Sequence, residues 1–522
     1  MMKKQKDILV LAAALVTTLI VTGVVAGGAY WALKLLNNSS PSPLLLDNGT
    51  PSASSGVVRS RESRISEGEK ILVPKKGIDE LIGNSEYLSP FLAAKERGVD
   101  AITKGNFEQA TESFNSALAN FSFKNDPETR IYLNNALIAN QTTYTIAVSV
   151  PLGSQDIKEY RPNALAILRG VAQAQKEIND RGGIKGIPLK VIIVDDGNDK
   201  ETASRLASTL ANKSEVLGVI GHFSSGTTLA AKEVYDSEKL PAISSTSTAV
   251  SLSELDYVFR TVPSDIFTAK ALARYMLEDL DLSNAVVFFG SDGDQETMSY
   301  SESLSSEFKQ EVIQSGGRVD EFDLSGLEVT SEANSNAEAD RQIIESYVEK
   351  AIKSGVDCFM LAGYGGNARE GILDEIYEVV RANRGRLQLL GGDELYDSSV
   401  LGNVNEDGVG MVVAAAWNRG ISPGSNFLLN ADNLWGAPVN WFTATSYDAT
   451  KALAEAIRRN PTRSGIQQAF SNSSFSAEGA LGEIRFTSAG DRDGRVYLVQ
   501  MQYSDPNSEF SSSTGYDFVP VP

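Results

Sequence analysis

The chain has 522 residues, 42% hydrophobic and 22% charged, with a formal net charge of −20. That length exceeds one ordinary domain, and the acidic balance argues against nucleic acid as a partner, because phosphate binding needs a basic face. One cysteine, Cys358, and one histidine, His222, exclude an internal disulfide and a thiolate metal cluster, and leave little for Ser-His or Cys-His catalysis.

At the start, Lys3, Lys4 and Lys6 precede an uncharged apolar run from Ile8 to Leu33. The run exceeds the roughly 20 residues that span a bilayer as a helix. Residues 1–36 are therefore expected to form an uncleaved signal anchor, a transmembrane helix, with cleavage near Val25-Ala26 as the alternative. The lysines keep the N-terminus cytoplasmic, so the globular part is expected in the periplasm or outside the cell. Residues 37–88 are rich in Ser, Pro, Asn and Gly and read as a flexible linker.

Residues 89–140 change character. In GVDAITKGNFEQATESFNSAL, the residues Gly98, Gly105, Ala110, Phe114 and Ala117 resemble the small and aromatic packing positions of one tetratricopeptide repeat, and YLNNALIA would begin a second unit. One repeat cannot bury its own face. The expected α-helical hairpin should therefore pack on the next domain or on a partner, with a plain helical spacer as the other reading.

From Tyr144 onward strands and helices alternate. The runs YTIAVSV, LKVIIVDD, EVLGVIG and LPAISS are apolar throughout, as suits strands covered on both faces. Between the first two, Ile167, Val171, Ala174 and Ile178 share one helical face. NAVVFFG, VDCFMLAG, LQLLGGD and VGMVVAAAW continue the pattern with further helices, and DCFML makes Cys358 a core residue. Alternation of this kind predicts parallel α/β sheets, and the number of units fits two doubly wound lobes.

Ligands in such sheets bind outside the carboxyl ends of the strands. After VLGVIG comes His222-Phe223-Ser224-Ser225-Gly226-Thr227-Thr228, and after PAIS comes Ser245-Thr246-Ser247-Thr248. Hydroxyls and free N–H groups at a helix N-terminus can hold a carboxylate without a lysine, although Ser and Thr there also serve as plain helix caps. Across the crevice, VDCFMLAG leads to Tyr364, and LQLLGG to Asp393 and Glu394. An aromatic wall and an acid could hold an ammonium group. The two sides together describe a zwitterion site.

These residues, with EINDRGGIKGIPLKVIIVDDGND, GVIGHFSSGTT, PAISSTSTA, VFRTVPSD, GVDCFMLAGYGG, SYDATKALAEAI and GEIRFTSAGDRDG in that order, resemble the periplasmic branched-chain amino-acid-binding proteins of ABC importers. The resemblance runs from about Tyr144 to the C-terminus and implies the type I periplasmic-binding-protein fold, in which two lobes close on a hinge. It implies a bilobal domain over 141–522, with one lobe at about 141–262 and 396–470 and the other at about 263–395 and 471–522. It further implies that Ser225 and Thr248 supply carboxylate-binding hydroxyls, that Thr246 offers its backbone, and that Tyr300 and Tyr364 close over the ligand. The ammonium-binding acid matches Glu394, or Asp393 after a one-residue shift. A disulfide common in the family is absent, since its positions are Asn198 and Ser224 here.

The implied ligand is an amino acid, an amide or a urea-like molecule, and the implied partners are ABC permease subunits and, through the N-terminal helix, the membrane. A membrane-tethered sensor with the same binding domain is the competing reading. No cofactor or metal is expected: GYGGNAREG lacks a nucleotide-loop pattern, and DDGND and SDGD lack the full calcium-loop pattern. No nucleophile–base pair marks an enzyme, and His222 reads as a hydrogen-bonded strand-end residue.

Overall fold

The computed structural model describes residues 64–75, 87–119, 123–153, 160–291, 300–329, 336–364, 371–421, 424–505 and 514–521. The expected membrane-spanning run lies outside these residues. Among the described residues no helix is long and apolar enough to cross a membrane.

The all-apolar runs form the strands of two sheets. The first contains β1 (Ile65–Ser66), β2 (Tyr144–Val150), β3 (Leu189–Asp195), β4 (Val216–Ile220), β5 (Ala242–Ser244) and β6 (Val258–Arg260), in the order β1-β3-β2-β4-β5-β6. Strands β2 to β6 are parallel, and β1 runs antiparallel along β3. The second sheet contains β7 (Asn284–Phe289), β8 (Arg318–Asp323), β9 (Cys358–Ala362), β10 (Gln388–Gly391), β11 (Val412–Ala415), β14 (Tyr497–Tyr503) and β15 (Tyr516–Pro520), in the order β15-β14-β11-β10-β9-β7-β8. Its last two strands are antiparallel. All five residues of β9 are buried, Cys358 among them, as a strand covered on both faces requires.

Each lobe is a sheet between helices. Chain order places α1 (Leu88–Thr103), α2 (Phe107–Leu118) and α3 (Pro127–Leu137) ahead of the first lobe. Helix α4 (Arg161–Asp180) turns Ile167, Val171 and Ala174 into the core, with Ile178 packed at its edge. Helices α5 (Lys200–Ala211) and α6 (Ser225–Ser237) follow β3 and β4. The second lobe contributes α7 (Asp265–Arg274), α8 (Tyr300–Gln314), α9 (Ala337–Lys353), α10 (Leu373–Asn383) and α11 (Ser398–Val404). The chain returns to the first lobe after β11 through α12 (Asn426–Trp435), α13 (Trp441–Arg459) and α14 (Arg463–Phe470). That return comes later than the boundary expected near residue 396, because β11 pairs with β10 and β14. The small hairpin of β12 (Ala477–Gly479) and β13 (Gly482–Ile484) also stays with the first lobe, packed on α13.

Two segments ahead of the family-like region differ from expectation. Part of the expected flexible linker is ordered: β1 caps the open edge of β3, and Arg64 pairs with Asp195 at 3.4 Å. The expected helical hairpin is three helices. Gly98, Ala110, Phe114 and Ala117 are its packing residues, and a Cβ on Gly98 would lie 2.3 Å from the Phe114 ring, whereas Gly105, expected among them, is exposed in the turn after α1 at φ +72° and packs against nothing. YLNNAL does not begin a second repeat. It completes α3, whose Asn134 and Asn135 bond Gln175 on α4 and the Val191 backbone on β3.

Candidate ligand-binding cleft

The carboxyl ends of the parallel strands carry the candidate residues. In the first lobe, β4 ends at Ile220, and the turn through His222 and Phe223 delivers Ser224 as the N-cap of α6, its Oγ accepting the Thr227 N–H. Capping is thus the role of Ser224, which leaves Ser225 and the second hydroxyl stretch free for other work. Ser225 Oγ accepts the Ala249 N–H at 3.3 Å. Thr246 Oγ1 donates to the Phe223 carbonyl at 2.6 Å, so its side chain is committed to joining the two loops. Thr248 is 1% exposed, and its Oγ1 has no hydrogen-bond partner.

In the second lobe, Tyr300 opens α8, and its hydroxyl lies over Gly392, where a Cβ would approach it to 2.1 Å. The same hydroxyl lies against the Asp393 carboxylate and accepts the Glu394 N–H at 3.5 Å. Of the two candidate acids, Asp393 is buried, with Oδ1 unpartnered, while Glu394 is half-buried. Burial pushes Asp393 up to about 6. Tyr364 is half-buried beside Gly290, at the ends of β9 and β7, and its carbonyl accepts the Ile372 N–H.

A third acid was not singled out from the sequence. Asp265 begins α7 just after the chain crosses between lobes, and its N–H donates to the Thr248 carbonyl at 2.9 Å. Neither of its carboxylate oxygens completes a hydrogen bond, nor does the neighbouring Ser264 hydroxyl. Burial and the nearby Asp393 push Asp265 up to about 7, offset in part by the adjacent Ser303 and Thr248 hydroxyls and by Arg260. An acid ahead of an apolar helix reads as a helix cap, which hid it; its place at the end of VFRTVPSD is the available signal.

Thr248, Asp265 and Asp393 therefore bring buried oxygens without completed hydrogen bonds to one place, beside Tyr300 and Ser303. Buried polar groups normally have partners, since leaving one unpaired costs about 1–3 kcal/mol. The lobes meet at the same point, where the Val250 N–H donates to Ser303 Oγ at 3.0 Å. Such an arrangement can hold a small molecule that presents an ammonium to the acids and a carboxylate to the hydroxyls and helix α6.

Known proteins share this architecture. The leucine-specific-binding protein of Salmonella typhimurium is 24% identical over 345 residues, covering 65% of this chain and 86% of the relative. The Leu/Ile/Val-binding protein of Escherichia coli is 23% identical over 333 residues, covering 63% and 84%. A solved ABC transporter substrate-binding protein from Desulfitobacterium hafniense in complex with Leu has the same fold, with a TM-score of 0.56, 22% identity and coverage of 72% of this chain and all of that one. A leucine-binding protein from Thermotoga maritima superposes with a TM-score of 0.56 at 20% identity, covering 72% and 98%. The sequence profile of the periplasmic binding proteins matches residues 143–507, the whole of both lobes' sheets apart from β1 and β15, and the chain belongs to that family.

Proposed function

We infer that this chain is an extracytoplasmic solute-binding protein of an ABC importer, a binder and not an enzyme, taking an amino acid of the branched-chain class or a related amide between its lobes. The observation that carries the reading is the convergence of unpartnered Asp265, Asp393 and Thr248 oxygens at the meeting of the lobes. Relatives named for leucine, isoleucine and valine binding support the ligand class. In this reading Ser225 and Thr248 hold the ligand carboxylate with the N-terminus of α6, Asp393 with Asp265 holds its ammonium, and Tyr300 and Tyr364 close over it. Glu394, only half-buried, is the weaker choice of acid. A thermal-shift screen of the full chain against amino acids, amides and urea tests the assignment, because a specific ligand stabilises only the folded state. Stabilisation by leucine or a close analogue is the expected result, and no shift with any amino acid would sink it.

The second reading is a membrane-tethered sensor, with residues 1–36 as its anchor. It is favoured by the three-helix annex α1–α3 and by the segment 64–75 that carries β1, the strap, all of which lie outside the family match. Delivery to a permease requires neither. Co-purification with permease subunits supports the first reading, and co-purification with a signalling protein the second.

A further inference from the structure

His222, the chain's one histidine, is 1% exposed. Its Nδ1 lies 2.7 Å from Asp196 Oδ2 and its Nε2 lies 2.7 Å from Tyr235 Oη. Asp196 follows β3 and Tyr235 lies on α6, so the ring joins a strand end to the helix that begins at Ser225. The carboxylate is fixed in turn by Ser149 Oγ and by the Asn198 N–H, each at 2.9 Å. Burial by itself would push Asp196 up; the hydrogen bond and charge of His222 hold it below the ordinary carboxylate value.

The backbone of the same residue ties the second hydroxyl stretch to the first. Its carbonyl accepts Ser244 Oγ at 3.1 Å, Thr246 Oγ1 at 3.3 Å and Ser247 Oγ at 3.4 Å. Ser247 Oγ also meets Thr228 Oγ1 on α6 at 2.8 Å. Both stretches therefore hang on one peptide whose side chain is locked beneath them. With both ring nitrogens occupied and buried, His222 offers no atom to a ligand.

The geometry points to His222 as a positioning residue: its ring, held between Asp196 and Tyr235, sets the backbone from which Ser225 and Thr248 are presented. This rests on the reading that these hydroxyls grip a ligand carboxylate. A preorganised half-site loses less ordering entropy on binding, so loosening it lowers affinity without removing a contact.

The test uses the full chain and whichever of L-leucine, L-isoleucine, L-valine and L-threonine gives the largest thermal shift. His222→Phe keeps ring volume and removes both hydrogen bonds; His222→Gln restores a donor and an acceptor; Tyr235→Phe removes one bond alone. The expected result is a calorimetric Kd raised about tenfold or more in His222→Phe, less in Tyr235→Phe, and partly recovered in His222→Gln. The imidazole nitrogen signals, unambiguous in a chain with one histidine, should also shift when the amino acid binds. A purely structural role predicts a lowered Tm with unchanged Kd, and that outcome overturns the inference. If His222→Phe does not fold, wild-type Kd in Tyr235→Phe together with unmoved imidazole signals overturns it equally. Ser225→Ala and Thr248→Ala separate the two levels: wild-type Kd in both, or no shift with any of the four amino acids, overturns the cleft reading and this inference with it, whereas weakened binding there with wild-type Kd in His222→Phe overturns this inference alone.

Discussion

Thr248 and Asp265 belong to different lobes in sequence terms, yet one backbone hydrogen bond joins them. Thr248→Ala removes an unpartnered hydroxyl, so affinity should fall about tenfold or more with little change in Tm, measured by calorimetry and thermal shift. Asp393→Asn should abolish measurable amino-acid binding while Glu394→Gln leaves it within a few-fold; the reverse ranking would reassign the acid. The two buried acids also set a pH dependence. Folded, Asp265 is raised to about 7 and Asp393 to about 6, from 3.8. As pH rises the unfolded chain ionises first, so the folded state holds more protons between about pH 4 and 7. The stability these groups contribute is full below about pH 4, declines across that window and levels off above it. An ammonium between them favours the ionised acids, so the thermal shift given by an amino acid should grow from pH 4.5 to 7.5. A shift independent of pH would count against both acids as ammonium ligands. The hydroxyl stretches were legible because they follow apolar strands, but Asp265 was not: in sequence it is an acid ahead of a helix, and only the fold sets it against Asp393.

Among the elements, the annex is the part where sequence reading and structure diverge most. Its packing residues were legible as small and aromatic side chains at helical spacing, and Gly98 and Phe114 do meet. Its partner was not, because polar side chains make the seam. Glu128 Oε1 accepts the Leu72 and Val73 N–H groups at 2.6 and 3.2 Å, which pins the strap that begins with β1. Lys95, fully buried, pairs with Asp126 and Glu128 at 2.7 Å each, and these carboxylates keep its ammonium above its ordinary pKa against the effect of burial. Removing one member of a buried ion pair strands the other and costs about 3–5 kcal/mol. Glu128→Ala should therefore release residues 64–75 to limited proteolysis and destabilise the annex, while amino-acid affinity stays unchanged. Unaltered protease resistance would show that β1 holds the strap without Glu128.

Over the whole molecule, the chain crosses between lobes at residues 261–264, again after β11, and again before β14. The first and third crossings are clamped by buried ion pairs. Arg260 bonds Asp491 and the Ala249 carbonyl, and Arg492 bonds Asp448 on α13. These anchors lie on the first-lobe side of both crossings, so a hinge between the lobes falls beyond them. Asp491→Asn leaves Arg260 half-compensated and should lower Tm by several degrees, roughly 1–3 kcal/mol, with a smaller effect on Kd than Asp393→Asn. A Kd effect as large as that of Asp393→Asn would place Asp491 in the ligand site instead of the hinge.

Parallel pairing in two lobes was determined by the sequence itself, because apolar runs alternating with amphipathic helices can bury their faces in few other ways; the strand order and the antiparallel β1, β14 and β15 were not. The candidate residues after the strands followed from the same logic, whereas Tyr300 rests on the family resemblance alone. What only the tertiary structure decided was which polar groups end without partners. Ser224 and Ser225 are neighbours of one type, yet one caps a helix and the other faces the second loop. Asp393 and Glu394 are adjacent acids, yet burial separates them. Hydrogen-bond satisfaction depends on every neighbour in space, most of them far away in the chain, and no local pattern encodes it.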